Sequence, residues 1–378
     1  MKEIYLDNAA TTAMSKKALD AMEECMRECW ANPSSLHLSG QRAAAKVEEA
    51  RDIIAEVIGA FPDEIIFTSG ATESNNLAIR GYVSSYGAGL VTQETEHPSV
   101  INTAKYLIGQ GTDVRVIPVD ENGMPAEDFG TVIESFNGSP VLVSVMYTNN
   151  ETGTLLPVKD IADTVHALGG AFHCDAVQAL GKVPLDVKRL GTDMLSASAH
   201  KFHGPKGTGF LYVKSGISLK GITMGGEQER SLRPGTVNTP AIWAMAAALR
   251  EAADEMERAS GRMKRLKEML KTSLSESIPG IHVNGAGGET NCCTLNVSFP
   301  GVGADMLLYA LDREGLRVSA GSACSAGSLE ISHVIRAMGA EKYGAPIRYS
   351  LSRYTTEEEI LCAARITAEV YNRLIQQA

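Results

Sequence analysis

At 378 residues, 44% of them hydrophobic and 21% charged, the chain has the composition of a soluble globular protein and is long enough to expect two domains. Its formal net charge of -10 argues against nucleic acid as a main ligand. No apolar run approaches the roughly 20 residues that span a bilayer, and Met1-Lys2-Glu3-Ile4-Tyr5-Leu6-Asp7 lacks the basic-then-apolar pattern of a signal peptide, so a cytoplasmic location and no membrane contact are expected.

From about Glu64 to Val213, short apolar runs alternate with amphipathic stretches. Glu64-Ile65-Ile66-Phe67 is the first predicted strand. The segment after it, Thr68 to Asn76, opens a helix, where free amides and the Thr72 hydroxyl make an anion site; an ordinary Ser/Thr cap would read the same way. Leu90-Val91-Thr92 leads to Glu94-Thr95-Glu96-His97-Pro98-Ser99. A neutral imidazole there can stack on a flat ring and shuttle protons, or His97 merely precedes Pro98 at a helix start. Val114 to Ile117 follows, then Val141 to Val145 and the polar turn Met146 to Gly153, whose Asn amides can donate to a phenolate or a carboxylate. Val158 to Leu168 is a predicted helix with Pro157 before it and Gly169 after it. Ala171-Phe172-His173-Cys174 ends on Asp175, with Gln178 three residues on. Met194-Leu195-Ser196 runs into Ser196-Ala197-Ser198-Ala199-His200-Lys201-Phe202-His203-Gly204-Pro205-Lys206-Gly207, and Gly209 to Val213 is the last apolar run. Buried strands alternating with helices imply a mostly parallel sheet covered on both faces, with ligands beyond the carboxyl ends of its strands.

The segment around Lys201 carries the most chemistry. Small residues leave room for a bulky group, and hydroxyls and imidazoles can bind a phosphate. A lysine amine in such a pocket can lose its proton and attack a carbonyl, which meets the needs of a lysine carrying pyridoxal phosphate as a Schiff base. A solvent loop with a chance Lys-His pair satisfies that segment equally well when it stands alone. Asp175 supplies the carboxylate such a ring needs against its pyridine nitrogen, and Gln178 a donor near the ring oxygen; its spacing to Lys201 favours this over a solvated strand-end acid.

Further on, Arg233-Pro234-Gly235-Thr236 is a turn that can reach a phosphate. Pro240 to about Ser275 reads as one long helix suited to linking two domains. Thr294 to Ser298 (strand), Ala304 to Arg313 (helix), Arg317 to Ser328 (short strand and loop), Ile347 to Leu351 (strand) and Thr356 to Ile375 (helix) make a smaller α+β domain. Arg348 is a lone arginine in an apolar strand, and a partly buried arginine needs an anion such as a substrate carboxylate. The seven cysteines are scattered, with no zinc-finger spacing, so neither disulfides nor a structural metal is expected. Cys292 and Cys293 read as strand neighbours pointing to opposite faces. Cys324 stands apart: Ser319 to Ser328 contains only Ser, Ala, Gly and this one Cys, a loop with no apolar anchor, so the thiol is expected to be exposed.

These segments, with Tyr5 to Thr12, Asn32-Pro33-Ser34-Ser35 and Arg348-Tyr349-Ser350-Leu351-Ser352-Arg353, resemble end to end the group I cysteine desulfurases, the NifS/IscS-like branch of the class V aminotransferase family. The resemblance implies an α/β fold of the pyridoxal-phosphate-dependent transferase type I. Its large cofactor-binding domain, 14–255, holds a mostly parallel seven-stranded sheet, and a smaller α+β domain of 1–13 and 256–378 carries the catalytic cysteine loop. It implies that Lys201 is the Schiff-base lysine, that Asp175 and Gln178 pair with the ring nitrogen and oxygen, and that His97 stacks on the ring and moves protons. Ala71, Thr72, Ser198 and His200 would hold the phosphate, with Thr236 reaching in from the other subunit of a homodimer. Asn150 and Arg348 would bind the substrate carboxylate, Asn150 also lying against the cofactor. Cys324 would take the sulfur as a persulfide while L-cysteine becomes L-alanine, and it could transiently ligate a nascent iron–sulfur cluster. Sulfur-acceptor proteins, such as an iron–sulfur scaffold or a tRNA-thiolation enzyme, are the implied partners. Ser325-Ala326-Gly327-Ser328-Leu329-Glu330 looks like group I. The chain stops at Ala378, soon after its last helix, whereas longer relatives carry an extension that helps dock the scaffold. The competing readings are a selenocysteine lyase or another class V enzyme of this cofactor, a transaminase, which needs no thiol, and a non-catalytic binding paralogue, against which Lys201, Asp175, His97 and Cys324 together argue.

Overall fold

The computed structural model describes residues 3–321 and 331–377. Seven strands form one sheet in the order Ile65–Thr68, Gly209–Val213, Met194–Ser198, Ala171–Asp175, Val141–Met146, Gly89–Gln93 and Val114–Ile117. Only Gly209–Val213 runs antiparallel to its neighbours; the remaining pairs are parallel. Alternation along the strands sends Phe67, Val91, Val143, Phe172, Leu195 and Phe210 to one core. It sends Ile66, Leu90, Leu142, Ala171, Met194 and Leu211 to another on the opposite face. Burial on both faces is why these strands read as continuous apolar runs.

The helix Thr239–Ser277 has 39 residues, with Asn238 accepting from the Ala241 amide at its start and a proline in its first turn. At ~1.5 Å per residue it spans roughly 60 Å. Its first half, Ile242 to Ala252, packs into the large core, and Ala259 to Leu274 into a second core. That second core covers an antiparallel three-stranded sheet in the order Ala345–Ser350, Thr294–Phe299, His282–Val283. Ile4 and Leu6 join it from the N-terminus, where Ile4–Tyr5 pairs with Leu316–Arg317.

The helix Val158–Ala167 begins directly after Pro157, as expected. One local reading changes. Cys292 and Cys293 precede the strand Thr294–Phe299 instead of lying in it, because the Asn291 side chain turns the chain by accepting from the Cys293 and Thr294 amides at 3.1 and 2.8 Å. Among the described residues no helix is long and apolar enough to cross a membrane.

Candidate active site

The carboxyl ends of the parallel strands converge on a cavity of about 430 Å³. Five of the connections that leave strands of this sheet line it. The first gives Gly70, Ala71 and Thr72 at the start of the helix Ala71–Tyr86, where the N-cap is Gly70 at φ 147° with no side chain to occupy the first-turn amides. Only a glycine sits comfortably there, and it leaves that helix end open to an anion. The others give His97, then Thr148 and Asn150, then Asp175 and Gln178, then Ser198, His200 and Lys201. The strand Ala345–Ser350 contributes Arg348, and the N-terminal segment contributes Ala9, Ala10 and Thr11.

Asp175 is 5% exposed. One carboxylate oxygen accepts from the Asn75 side chain at 2.8 Å and the other from the Val177 amide at 3.1 Å. Among the described residues its hydrogen-bond partners are thus neutral, and no cationic side chain forms a salt bridge with it. Asn75 donates also to Ser99 Oγ at 2.9 Å, which lies 2.8 Å from His97 Nδ1. The same Nδ1 accepts from the Ser99 backbone N–H, which leaves the ring proton on Nε2. A relay Asp175–Asn75–Ser99–His97 therefore fixes the orientation of the imidazole. Burial pushes the His97 imidazole below its ordinary value, Asp175 opposing this and the cation of Lys201 adding to it. Beside it, burial raises the Glu96 carboxyl well above the carboxylate range, although the Met146 amide donates to it at 2.9 Å.

Lys201 Nζ donates to the carbonyls of Ala9 and Ala10 at 2.6 and 2.8 Å. Those carbonyls hold the amine at the cavity wall. Gln178 donates to the Ala9 carbonyl at 2.9 Å and accepts from Lys182 at 2.8 Å. His200 touches Thr11 Oγ1 at 3.1 Å, and burial, with the cation of Lys201, lowers its imidazole to about 4. It is a neutral hydrogen-bonding group at neutral pH.

Arg348 departs from expectation. It is fully buried and already has an anion: Nη2 donates to Asp7 at 2.8 Å and Nη1 to the Asn150 carbonyl at 2.9 Å, leaving Nε with no hydrogen-bond partner among the described residues. Sequence reasoning missed Asp7, which lies 341 residues away along the chain. It missed Asn75 too, although a polar residue one turn inside an otherwise apolar helix face was a signal. Arg233 does not reach into the cavity; its Nε donates to Glu73, on the cavity rim, at 3.1 Å. Thr236 is exposed and is not part of the cavity wall within this chain. Cys324 lies outside the described residues.

The pattern of the aminotransferase class-V family matches residues 4–362. A cysteine desulfurase IscS of Dictyoglomus turgidum is 38% identical over 100% of this chain and 95% of its own length. A putative cysteine desulfurase, IscS 1, of Bacillus subtilis is 40% identical over 99% of this chain and 100% of its own. Among solved structures, a NifS-like protein superposes with a TM-score of 0.91 at 35% identity, covering 99% of this chain and 100% of the other. A structure described as SspA in complex with cysteine gives 0.81 at 33% identity, covering 94% and 100%.

Proposed function

We propose how this cavity works from one premise: the chain belongs to the aminotransferase class-V family and, within it, to the cysteine desulfurases of the NifS/IscS type. The reading is a pyridoxal-phosphate-dependent enzyme that converts L-cysteine to L-alanine and keeps the sulfur. One observation carries it. Lys201, Asp175 and His97 leave three different strand ends and meet in one cavity with an open helix N-terminus.

The residues present fit the cofactor. The open first turn at Ala71 and Thr72, with the Ser198 hydroxyl and the neutral His200 ring, suits a phosphate. Asp175, buried among neutral donors, suits a protonated pyridine nitrogen, and Gln178 suits the neighbouring ring oxygen. Lys201 would bind the aldehyde, His97 would lie against the ring, and Thr236 of a second copy would complete the phosphate site. Bound there, the cofactor supplies an electron sink next to the substrate amine.

The rest falls to the chain itself. Asn150 and Arg348 orient the substrate carboxylate. Lys201 and His97, both at the cavity wall, move protons at the substrate carbons. Cys324, as a thiolate, attacks the substrate sulfur: its S–S bond forms as the Cβ–S bond breaks, the electron pair stays on carbon, and Cβ gains a proton. L-cysteine and one thiol thus become L-alanine and one persulfide, without any outside oxidant.

In the same reading, 14–255 is the cofactor-binding unit, and 1–13 with 256–378 is the smaller unit bearing Cys324. The enzyme is a cytoplasmic homodimer; the six described cysteines are free, as suits a reducing compartment. It hands sulfur to an iron–sulfur scaffold or a tRNA-thiolation enzyme, and Cys324 can touch a nascent cluster as cargo. The test is Lys201→Ala. The variant should lose the visible absorption of lysine-linked cofactor and release no alanine from L-cysteine; alanine release by the pure variant would refute the assignment.

A further inference from the structure

Three successive non-glycine residues, Glu229, Arg230 and Ser231, lie in the left-handed region at φ 44°, 58° and 63°. Such a run is costly and persists only where its surroundings over-determine it. Here the surroundings are a buried ionic clamp. Glu229 accepts from Arg51 Nη2 at 2.8 Å, from Arg51 Nη1 at 3.0 Å and from the Phe67 amide at 2.8 Å. Arg51 Nη1 also donates to the Ile65 carbonyl at 2.7 Å, and the guanidinium lies over the Phe67 ring. The two side chains are 9% and 5% exposed. Ile65–Thr68 is an edge strand of the large sheet, so the pair occupies the outward N–H and C=O groups that an edge leaves open.

The clamp also governs what comes next. Gln228 accepts from the Gly235 amide at 2.9 Å, and Arg233 holds Glu73 in the first turn of the helix Ala71–Tyr86. Yet the tip is open: Gly235 (φ 100°) has nothing packed against its free face, and Thr236 is exposed. A tightly fixed base with a free tip is the arrangement expected of a turn presented to another molecule.

We propose that Glu229, locked by Arg51, is a positioning residue that sets the Arg233–Thr236 turn for the cofactor phosphate of a second copy of this chain. This rests on the reading of Thr236 and the homodimer given above. Glu229→Gln keeps the shape and loses the charge; it should weaken cofactor binding about tenfold while the dimer persists. Should that variant fold poorly, Arg51→Lys loosens the same clamp from the other side.

The decisive measurement is a hybrid dimer of one Glu229→Gln chain and one Lys201→Ala chain. Its single cofactor-linking lysine then faces a turn held by an intact Glu229. Cofactor retention at that lysine, read from its visible band during dilution, should return to the wild-type rate. Release as fast as in the Glu229→Gln homodimer would mean that Glu229 acts only within its own chain, and would overturn the proposal. Wild-type retention in the Glu229→Gln homodimer would overturn it too, leaving the dimer reading intact. A monomer in sedimentation that keeps its cofactor would instead remove the dimer reading, and this proposal with it.

Discussion

At the carboxyl ends of the seven-stranded sheet, the buried carboxylate of Asp175 is held by neutral amides, whereas on the three-stranded sheet the buried guanidinium of Arg348 is already matched by Asp7. In the proposed reading, the first arrangement leaves the carboxylate facing a cationic ring. The second holds a cation that Asp7 already matches and that, in the same reading, an incoming carboxylate would share; it is never left bare, which matters because an unpaired buried charge costs several kcal/mol. Substitutions in the two regions should therefore fail differently: those on the large sheet disturb the cofactor, and those on the smaller unit spare the cofactor but disturb substrate or sulfur.

The sharpest break concerns sulfur. Cys324→Ala should lose nearly all sulfide release and all persulfide, yet keep the visible band and its change on adding L-cysteine. Trypsin digestion and mass spectrometry after cysteine treatment check it; a persulfide on Cys25, Cys29, Cys174, Cys292, Cys293 or Cys362, with Cys324 unmodified in the wild type, would contradict it. On the large sheet, Asp175→Asn should keep the shape and the proposed Lys201 linkage while removing the carboxylate assigned to the ring nitrogen. Its kcat should fall about 10²-fold or more with a smaller change in KM, measured by alanine formation.

Arg348→Lys should act mainly on KM for L-cysteine, raising it on the order of tenfold, because a point cation cannot grip two partners and a carboxylate as a planar fork does. A kcat loss as large as that of Asp175→Asn would erase the distinction between the regions. A separate effect is on stability. Burial lowers His173, in the middle of the large sheet between Ser144 and Ser196, from 6.5 to about 4. Between those values the unfolded chain binds more protons than the folded one. The stability contribution is full above about pH 6.5 and is lost as the pH falls toward 4, by at most ~1.4 kcal/mol per pH unit for this one group. Urea midpoints taken from about pH 7 down to about pH 5 should fall, and His173→Gln should flatten that slope.

The same contrast explains what could be read from the sequence. Local signals placed the sheet well: Val114–Ile117 and Gly209–Val213 carry the bounds expected of them, and the other runs differ only by a residue or two at their ends. The groups at the strand ends were legible because each follows a run buried on both faces. Pairings across the chain were not. The Asp7–Arg348 bridge, the Asn75–Ser99 link to His97 and the Glu229–Arg51 clamp each join residues whose neighbours in sequence say nothing of one another. Arg348 is the instructive case: the lone arginine was visible, and the anion that satisfies it came from the other end of the chain.

The most direct measurement of the central claim is borohydride reduction of the cofactor-loaded protein, followed by proteolysis and mass spectrometry. Three lysines stand close enough to compete: Lys201 and Lys206 line the cavity, and Lys182 donates to Gln178. The reduced cofactor should be found on the peptide containing Lys201, with the other two lysines unmodified. Label on Lys206 or Lys182, with Lys201 free, would contradict it.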